Sequence, residues 1–366
     1  MSILVVAGTR PEIIKLVPVV QALRDEASMS VRLCHSGQHP DLGREFLDAA
    51  RIDPAERLDR PAATGVAKLL AGMVTTIGAA IDRQGPDAVV VQGDTATTLA
   101  AALAAFHRQI PVAHVEAGLR SGDMARPFPE EGYRRMVTQI ARWHFAPTRR
   151  AETALQAEGI DPARIDMVGN TVVDALHWAK LLLDGNPALG GAAIPLIEES
   201  KGKPLVLATI HRRETGPDAM RAIASGLLSL VESEGVHLVL PLHPRAESEM
   251  LRQRLDNLPR ISLVPALDYF SFLRLMQAAR LVISDSGGVQ EEAAAKGRPV
   301  LVLRETTERP EAVEAGVARI IGYDPQMLLT AARYALARPA PQVSDVFGDG
   351  RAGARIARVL ARDLRR

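Results

Sequence analysis

The sequence predicts an α/β protein with two doubly wound parallel sheets, each belonging to its own domain. Short, wholly apolar runs alternate with longer amphipathic segments, which is the pattern of buried parallel strands covered by helices on both faces. This alternation begins at the N-terminus and begins again near residue 205. The 366 residues are enough for about two domains of ordinary size.

The first alternation predicts a domain of strands and helices in regular order. Its first helix is supported by apolar residues that recur at helical spacing between residues 11 and 24. We predict strands at 3–7, 31–34, 88–91, 112–115 and 144–146, and helices at 11–24, 95–106 and 130–143.

The second alternation has the same form and follows a Gly/Pro-rich stretch at 184–195. We predict strands at 205–208, 237–240, 261–264, 281–284 and 300–303, and helices at 219–234, 246–256, 269–279 and 289–296. The predicted domains are 1–172 and 173–350, with a C-terminal helix at 351–366 that packs back on the first. Because such sheets bind ligands at the carboxyl ends of their strands, we expect the two domains to face a common cleft.

Composition excludes several classes of function. Lys plus Arg is 44 and Asp plus Glu is 43, and the net charge of +1 argues against binding to nucleic acid or a membrane surface. No apolar run approaches the roughly eighteen residues of a membrane span, and the N-terminus lacks the basic leader of a signal peptide. The single cysteine, Cys34, excludes an intramolecular disulfide and a cysteine-rich metal site. We therefore expect a cytoplasmic protein.

Polar residues follow the strands of the first domain. In the turn after the first strand, Arg10 and Lys15 place positive charge near a helix N-terminus, which favours anions. Asp94 and Glu116 follow the third and fourth strands, and Glu130 opens a helix. Taken singly, Asp94 has the alternative role of a helix N-cap and Glu130 that of a partner for the helix dipole. Three carboxylates at one sheet edge together favour acid–base chemistry.

The second domain supplies positive charge and a glycine-rich turn. His211 and His243 end its first two strands beside arginines, which favours an anion pocket over zinc, because no third ligand lies at zinc-site spacing. The turn Ser286–Gly288 joins a strand to a helix and lets a diphosphate approach backbone amides. The sequence therefore predicts a nucleotide diphosphate whose other half is acted on by acid–base groups.

Several motifs in this order resemble the non-hydrolysing UDP-N-acetylglucosamine 2-epimerases. The resemblance runs from about residue 3 to residue 322. It is carried by Gly8–Lys15, Gly93–Thr95, His114–Arg120, Pro129–Glu131, His211–Arg212, Asp285–Glu292 and Thr306–Glu311. It implies two Rossmann-like domains in the GT-B arrangement, a homodimer, a UDP-sugar substrate, no metal and no nicotinamide cofactor.

The family reaction interconverts UDP-GlcNAc and UDP-ManNAc by C2 deprotonation, anti elimination of UDP to a glycal, and re-addition of UDP. By resemblance, the catalytic residues are Asp94, Glu116, Glu130 and His211. The implied contacts of the UDP-sugar are Arg10, Lys15, Arg134, His243, Phe272, Ser286, Gly287, Gly288, Glu292 and Arg309. Among these, the Ser-Gly-Gly turn resembles the phosphate site, Glu292 the ribose ligand, and Phe272 the uracil contact.

Two departures from the family pattern lead to further expectations. Asp41 and Glu45 stand where many bacterial members have glutamines that contact a second, activating UDP-GlcNAc. Because carboxylates repel a diphosphate, we expect no such activation. The segment His243-Pro-Arg245 resembles relatives that act on modified sugars such as UDP-2,3-diacetamido-glucuronate. That substrate, a GT-B glycosyltransferase and a sugar-nucleotide sensor are the alternatives to be weighed.

Overall fold

The computed structural model describes residues 1–39, 43–210, 215–242 and 246–365, with the side chains of 246–248 excepted. The chain forms two units. Unit 1 comprises Met1–Trp178 and Gly348–Arg366, and unit 2 comprises Ala179–Phe347. Each unit contains one parallel sheet flanked by helices, so the predicted α/β class with two sheets is confirmed.

The sheet of unit 1 has seven parallel strands in the order β3-β2-β1-β4-β5-β6-β7. Its strands are β1 (Ser2–Ala7), β2 (Ser30–His35), β3 (Glu56–Arg57), β4 (Ala88–Gln92), β5 (Val112–Val115), β6 (Trp143–Ala146) and β7 (Ile165–Met167). The chain order reverses between β1 and β4, and doubly wound sheets bind ligands beside such a reversal. The turns that follow β1, β4 and β5 therefore form the first candidate site.

The helices of unit 1 cover both faces of this sheet. They are α1 (Arg10–Asp25), α2 (Arg44–Ala49), α3 (Val66–Gln84), α4 (Ala96–Phe106), α5 (Glu130–Ile140), α6 (Arg149–Ala157) and the N-terminal part of α7 (Thr171–Gly185). Thr9 is the N-cap of α1 and Pro11 lies in its first turn, where the missing N–H of proline costs no hydrogen bond. Local sequence thus starts α1 immediately after β1.

The sheet of unit 2 has six parallel strands in the order β10-β9-β8-β11-β12-β13. They are β8 (Leu205–Thr209), β9 (His237–Leu242), β10 (Ile261–Pro265), β11 (Leu281–Ser284), β12 (Val300–Val302) and β13 (Ala318–Ile320). The helices are α8 (Ala193–Glu199), α9 (Pro217–Glu234), α10 (Ala246–Leu255), α11 (Tyr269–Ala278), α12 (Gly287–Ala294), α13 (Pro310–Glu314) and α14 (Pro325–Ala337). The reversal lies between β8 and β11, beside the turn that leads into α12.

The C-terminal helix, α15 (Ala352–Asp363), packs against α1 within unit 1. The backbone N–H groups of Ala352 and Gly353 donate to the carboxylate of Asp174 at 3.2 and 2.8 Å. A Cβ on Gly353 would lie 2.8 Å from the carbonyl oxygen of Pro18, so a glycine is needed for this close approach. Residue 172, the predicted domain boundary, falls inside α7.

Two helix predictions need correction. The helix predicted at 130–143 ends at Ile140, because Ala141 is extended and Trp143 pairs with β5 as the first residue of β6. The helix predicted at 289–296 covers Gly287–Ala294 instead, so the glycines that we took for a preceding turn form its first turn.

Cys34 lies on β2 with its side chain fully buried in the core of unit 1. Burial raises the pKa of this thiol to about 12, so it is protonated at ordinary pH. Across the described ranges, no helix combines the length and apolar character needed to cross a membrane.

Candidate functional site

Glu116 follows β5 in a strained backbone conformation. Its φ is +63°, in the left-handed region that residues other than glycine avoid, and the residue is only 7% exposed. Such a conformation costs about 1–3 kcal/mol and persists only where the surroundings enforce it. Strain of this kind is concentrated at functional sites, which makes Glu116 the first residue to consider.

The carboxylate of Glu116 receives two donors from neighbouring elements. Lys15 Nζ, from α1, and Gln92 Nε2, from the end of β4, each lie 2.5 Å from Glu116 Oε2. All three residues are buried. Gln92 is absent from the residues predicted by sequence, whereas Lys15 was predicted to contact ligand and here binds a carboxylate.

Asp94 lies in the turn after β4 and is paired with Arg134 of α5. Arg134 Nε and Nη2 lie 2.8 and 2.5 Å from Asp94 Oδ2, and Arg134 Nη1 donates to Glu131 at 3.2 Å. The side chain of Asp94 is 26% exposed, whereas that of Arg134 is 6% exposed. Asp94 thus remains accessible while its cationic partner is enclosed, and the contact of Arg134 with ligand stays a prediction.

Glu130 and its neighbour Glu131 occupy different environments at the start of α5. Glu130 is half-buried, and its charge together with burial raises the pKa of Tyr133. Glu131 is fully buried and accepts hydrogen bonds from the Ser121 amide at 3.0 Å and from Arg135 at 3.2 Å. The fully buried acid therefore holds the loop and the helix together, and Glu130 is the one that solvent reaches.

The turn after β1 is held by Glu12. Glu12 Oε2 accepts the backbone N–H groups of Gly8 and Thr9 at 3.0 and 2.7 Å. Its other oxygen, Oε1, lies 2.6 Å from Thr95 Oγ1 and 3.1 Å from Thr98 Oγ1 on α4. Glu12 therefore joins the turn that follows β1 to the turn that follows β4.

Arg10 begins α1 beside this turn and is partly exposed. Its Nε lies 3.9 Å from Oε1 of Glu45, on α2. Glu45 is one of the two carboxylates that depart from the family pattern, and the other, Asp41, lies outside the described residues.

His114, on β5, supports the turn that carries Asp94. Its Nε2 lies 2.8 Å from the carbonyl oxygen of Gly93, so Nε2 carries the proton of the neutral ring and donates it. Burial lowers the pKa of His114 to about 3. The ring is consequently neutral at any working pH, and it acts as a fixed hydrogen-bond donor and not as a proton carrier.

In unit 2, the turn between β11 and α12 presents backbone N–H groups. Ser286 is the N-cap of α12, and within the described part of the chain its hydroxyl makes no capping bond to the helix. A Cβ on Gly288 would have Ser286 Oγ, at 4.0 Å, as its nearest neighbour. The first turn of α12 is therefore open on the side of Gly288, as an anion site at a helix N-terminus requires.

Arg309 lies beneath that first turn and not on its open side. A Cβ on Gly287 would lie 2.7 Å from the Arg309 guanidinium, and Arg309 is 7% exposed. Its Nε donates to Glu291 at 2.8 Å and its Nη1 to Glu308 at 3.3 Å. Arg309 is thus a buried cation that supports α12, and its contact with the sugar stays a prediction.

Glu292 and Phe272 are linked through a residue that the sequence did not single out. The Tyr269 hydroxyl, at the start of α11, donates to Glu292 Oε1 at 2.9 Å. Phe272 is half-buried one turn further along α11, at the i+3 position that shares a helix face with Tyr269. The structure therefore places Glu292, the predicted ribose contact, against the helix that carries Phe272, the predicted uracil contact.

Two predicted residues, His211 and His243, lie outside the described residues. In the part of the chain that the structure describes, no group of three or more His, Cys, Asp or Glu side chains is arranged to hold a metal ion.

Comparison with known proteins matches residues 21–361 to the family described as UDP-N-acetylglucosamine 2-epimerase. The chain belongs to this family. It is 38% identical, over 98% of both chains, to a probable UDP-N-acetylglucosamine 2-epimerase of Ralstonia nicotianae. Members of the family are isomerases, so the chain belongs to an enzyme family.

Two solved structures of family members resemble the whole chain. The UDP-GlcNAc 2-epimerase of Neisseria meningitidis, solved bound to UDP-GlcNAc, is 32% identical with a TM-score of 0.92. The Methanocaldococcus jannaschii enzyme, solved in complex with UDP-GlcNAc and UDP, is 33% identical with a TM-score of 0.90. Each match covers 99% of this chain and 100% of the other.

Proposed function

We propose that the protein interconverts UDP-GlcNAc and UDP-ManNAc through a glycal intermediate. A base takes the C2 proton of the sugar, the C2–H electrons form the C1=C2 bond, and UDP leaves C1 with the electron pair of the C1–O bond. UDP then adds back to C1 while a proton is delivered to the opposite face of C2. This route needs two proton-transfer groups and strong stabilisation of the departing diphosphate.

The strained, buried Glu116 is the observation that carries the proposal. Two donors fix its carboxylate at the end of β5, and a strained backbone aims it. The residues on either side of Glu116, Val115 and Ala117, are buried and apolar, so the carboxylate interrupts an apolar segment. We assign Glu116 to proton transfer at C2.

Asp94, Glu130 and His211 complete the proposed proton-transfer set. Asp94 and Glu130 are the partly exposed acids of the same sheet edge, and Arg134 holds the first of them in place. His211, two residues after the end of β8 in the sequence, keeps the role that the resemblance implies.

The diphosphate is assigned to the first turn of α12 in unit 2. The N–H groups at the start of a helix and the helix dipole favour an anion there, and Arg309, paired with Glu291, supports this turn from beneath Gly287. Glu292 and Phe272 would then contact the ribose and the uracil. Two relatives were solved with UDP-GlcNAc bound, and each of them matches 99% of this chain. They support a UDP-sugar as the ligand.

Incubation with UDP-GlcNAc in deuterium oxide, followed by proton NMR, tests the proposal. We expect loss of the C2 proton signal and formation of UDP-ManNAc. Absence of both, with a panel of other UDP-sugars equally inert, would overturn an epimerase function. Release of free ManNAc and UDP would indicate a hydrolysing enzyme instead, and turnover only with UDP-2,3-diacetamido-glucuronate would reassign the substrate.

We also propose that the active species is a homodimer, as the resemblance implies. Sedimentation velocity at assay concentrations measures this directly, and a fully active monomer would contradict it.

A further inference from the structure

Gln92 is a buried polar residue at the end of an apolar strand. It is the last residue of β4, where residues 88–91 are apolar and wholly buried, and it is itself 4% exposed. A buried amide costs free energy unless it is hydrogen-bonded. Its side-chain nitrogen lies 2.5 Å from Glu116 Oε2, so the burial of this amide is compensated at the acid to which we assign proton transfer.

The backbone of Gln92 is held by two neighbouring elements. Gln92 pairs with Val115 in the parallel register of β4 and β5, and the hydroxyl of Thr98, on α4, donates to the carbonyl oxygen of Gln92 at 2.6 Å. Because a strand and a helix both fix this backbone, the side-chain amide extends from a rigid point.

Glu116 reaches this amide because its backbone leaves the regular strand. Successive residues of a strand point to opposite faces, so a regular β5 would direct the residue after Val115 away from the face that Val115 shares with Gln92. The φ of +63° at Glu116 ends this alternation, and the carboxylate lies against Gln92 Nε2. The hydrogen bond therefore belongs to the strained conformation and helps to hold it.

Gln92 and Lys15 differ in what they can give to Glu116. Both lie 2.5 Å from Oε2, but an ammonium group is able to release a proton, whereas a side-chain amide is not. A hydrogen bond from an amide favours the ionised carboxylate without supplying or removing a proton. The two donors are therefore not equivalent in a reaction that moves protons.

We propose that Gln92 is a positioning residue that holds Glu116 ionised and aimed in its strained conformation. It acts through Glu116 and does not itself transfer a proton. The consequence for turnover rests on the proposed function, whereas the hydrogen bond to Glu116 does not.

Gln92→Glu tests this role through the pH dependence of turnover. The new carboxyl group has the size of the amide, and at low pH it carries a proton that it donates to Glu116. At high pH two carboxylates face each other and repel. The kcat of the variant relative to wild type should be highest at about pH 5 and fall by at least about tenfold by about pH 8. A ratio that is independent of pH would overturn the proposal.

Other charged groups around Glu116 are common to wild type and variant. Lys15 contacts Glu116, so the proton that the two acids share in the variant rests on the new carboxyl group. The ratio of the two rates cancels the titration of the remaining groups and reports the new one. These groups are Arg10 and Glu12 of α1, Asp94 and Arg120 of the turns after β4 and β5, His114 of β5, Glu130, Glu131 and Arg134 of α5, and His144 of β6.

Gln92→Met removes the donor without adding a charge, so it keeps the proposal testable if Gln92→Glu unfolds at high pH. Its kcat should fall by about tenfold to a hundredfold, the range for a lost hydrogen bond to a charged group, while KM stays within about twofold of wild type. Near-normal kcat in a variant with native circular dichroism would refute the positioning role.

A measurement without substrate tests the hydrogen bond itself. Carbon-13 NMR of labelled glutamate carboxyl groups follows the titration of Glu116, and the signal that is lost in Glu116→Gln identifies it. The midpoint of this titration should lie at a higher pH in Gln92→Met than in wild type, because the ionised form has lost a donor. An unchanged midpoint would overturn the proposal whether or not the wild type turns over UDP-GlcNAc.

Gln84→Glu is the matched control. The side-chain nitrogen of Gln84, at the end of α3, donates to the carboxylate of Glu56 at 2.9 Å, on the edge strand β3. The substitution makes the same change of charge beside an acid outside the candidate site, so kcat relative to wild type should be independent of pH. Failure of the epimerase proposal would appear separately, as wild-type protein that shows no exchange at C2.

Discussion

Unit 1 and unit 2 both end their central strands in turns that lead into helices, but their acidic side chains are held differently. In unit 1, Asp94 is partly exposed and Glu116 is aimed by a strained backbone, each against one cation. In unit 2, Glu291 and Glu308 are buried with Arg309 in a network of ion pairs. Glu308 lies between the buried guanidinium groups of Arg304 and Arg309, whereas the side chain of Asp94 is 26% exposed.

Under the proposed function, this difference would divide the chemistry between the two sheets. The edge of unit 1 holds groups that can exchange protons, and the edge of unit 2 holds fixed N–H dipoles and a buried cation. Fixed dipoles stabilise a leaving diphosphate without reorganising during the reaction. Substitutions on each side should therefore alter different kinetic constants.

The largest effect is expected from the acids of unit 1. Asp94→Asn, Glu116→Gln and Glu130→Gln should each lower kcat by at least about a hundredfold, the lower range for general acid–base groups. UDP-ManNAc formation followed by NMR measures the loss. Glu56→Gln is the control. It removes an acid of β3 that is paired with Arg83 of α3, and it should keep normal turnover. Near-normal rates in all three variants would make these acids structural.

A second prediction separates the two glycines of α12. Gly287→Ala forces a methyl group to within 2.7 Å of the Arg309 guanidinium and should destabilise the protein by about 1–3 kcal/mol. Gly288→Ala meets its nearest atom at 4.0 Å, so it should fold normally but raise KM for the UDP-sugar by about tenfold. Thermal unfolding and initial rates on both variants measure this contrast. An unchanged KM for Gly288→Ala would contradict the prediction.

A third prediction concerns the pH dependence that His114 gives to unit 1. Its folded pKa of about 3 lies below the ordinary value of 6.5, so the unfolded chain binds a proton that the folded chain does not. The contribution of the neutral His114 to the free energy of unfolding is complete above pH 6.5 and decreases as the pH falls towards 3.

His114→Gln keeps a donor for the Gly93 carbonyl group but removes this titration. Between about pH 7 and pH 5, the melting temperature of the wild type should fall further than that of the variant. Parallel curves would show that the ring does not titrate in this range.

The smallest effect is expected at Glu45. Its ion pair with Arg10 is long, at 3.9 Å, and partly exposed, so Glu45→Gln should change stability by less than about 1 kcal/mol. The initial rate should depend hyperbolically on UDP-GlcNAc concentration in the wild type, because a carboxylate disfavours a second diphosphate at this position. A sigmoidal dependence would contradict the expectation.

Sequence reasoning located the strand ends well because buried parallel strands are continuous apolar runs, and polar residues begin where these runs stop. Asp94 and Glu116 were found in this way. Their partners were not, because Lys15 and Glu116 are 101 residues apart and only the β1–β4–β5 order makes them neighbours. Gln92 belongs to an apolar strand, so its amide gave no signal until Glu116 was placed beside it.

Residues that support others were harder to predict than residues that face outwards. The position of Arg309 could not be predicted, because it depends on the absence of a side chain at Gly287, which lets the guanidinium pack under α12. Glu12 and Tyr269 act through hydrogen bonds across the fold, and local spacing contains no information about such partners. A positive φ at a residue other than glycine, as at Glu116, likewise depends on tertiary contacts.

The buried Cys34 has a practical consequence for labelling. It is the single cysteine of the chain, and its thiol has a pKa of about 12. Maleimide and iodoacetamide reagents need a thiolate, so they should leave the native residue unmodified. A cysteine introduced on the surface of either unit would then accept a fluorophore or spin label at one known position, with no background to remove.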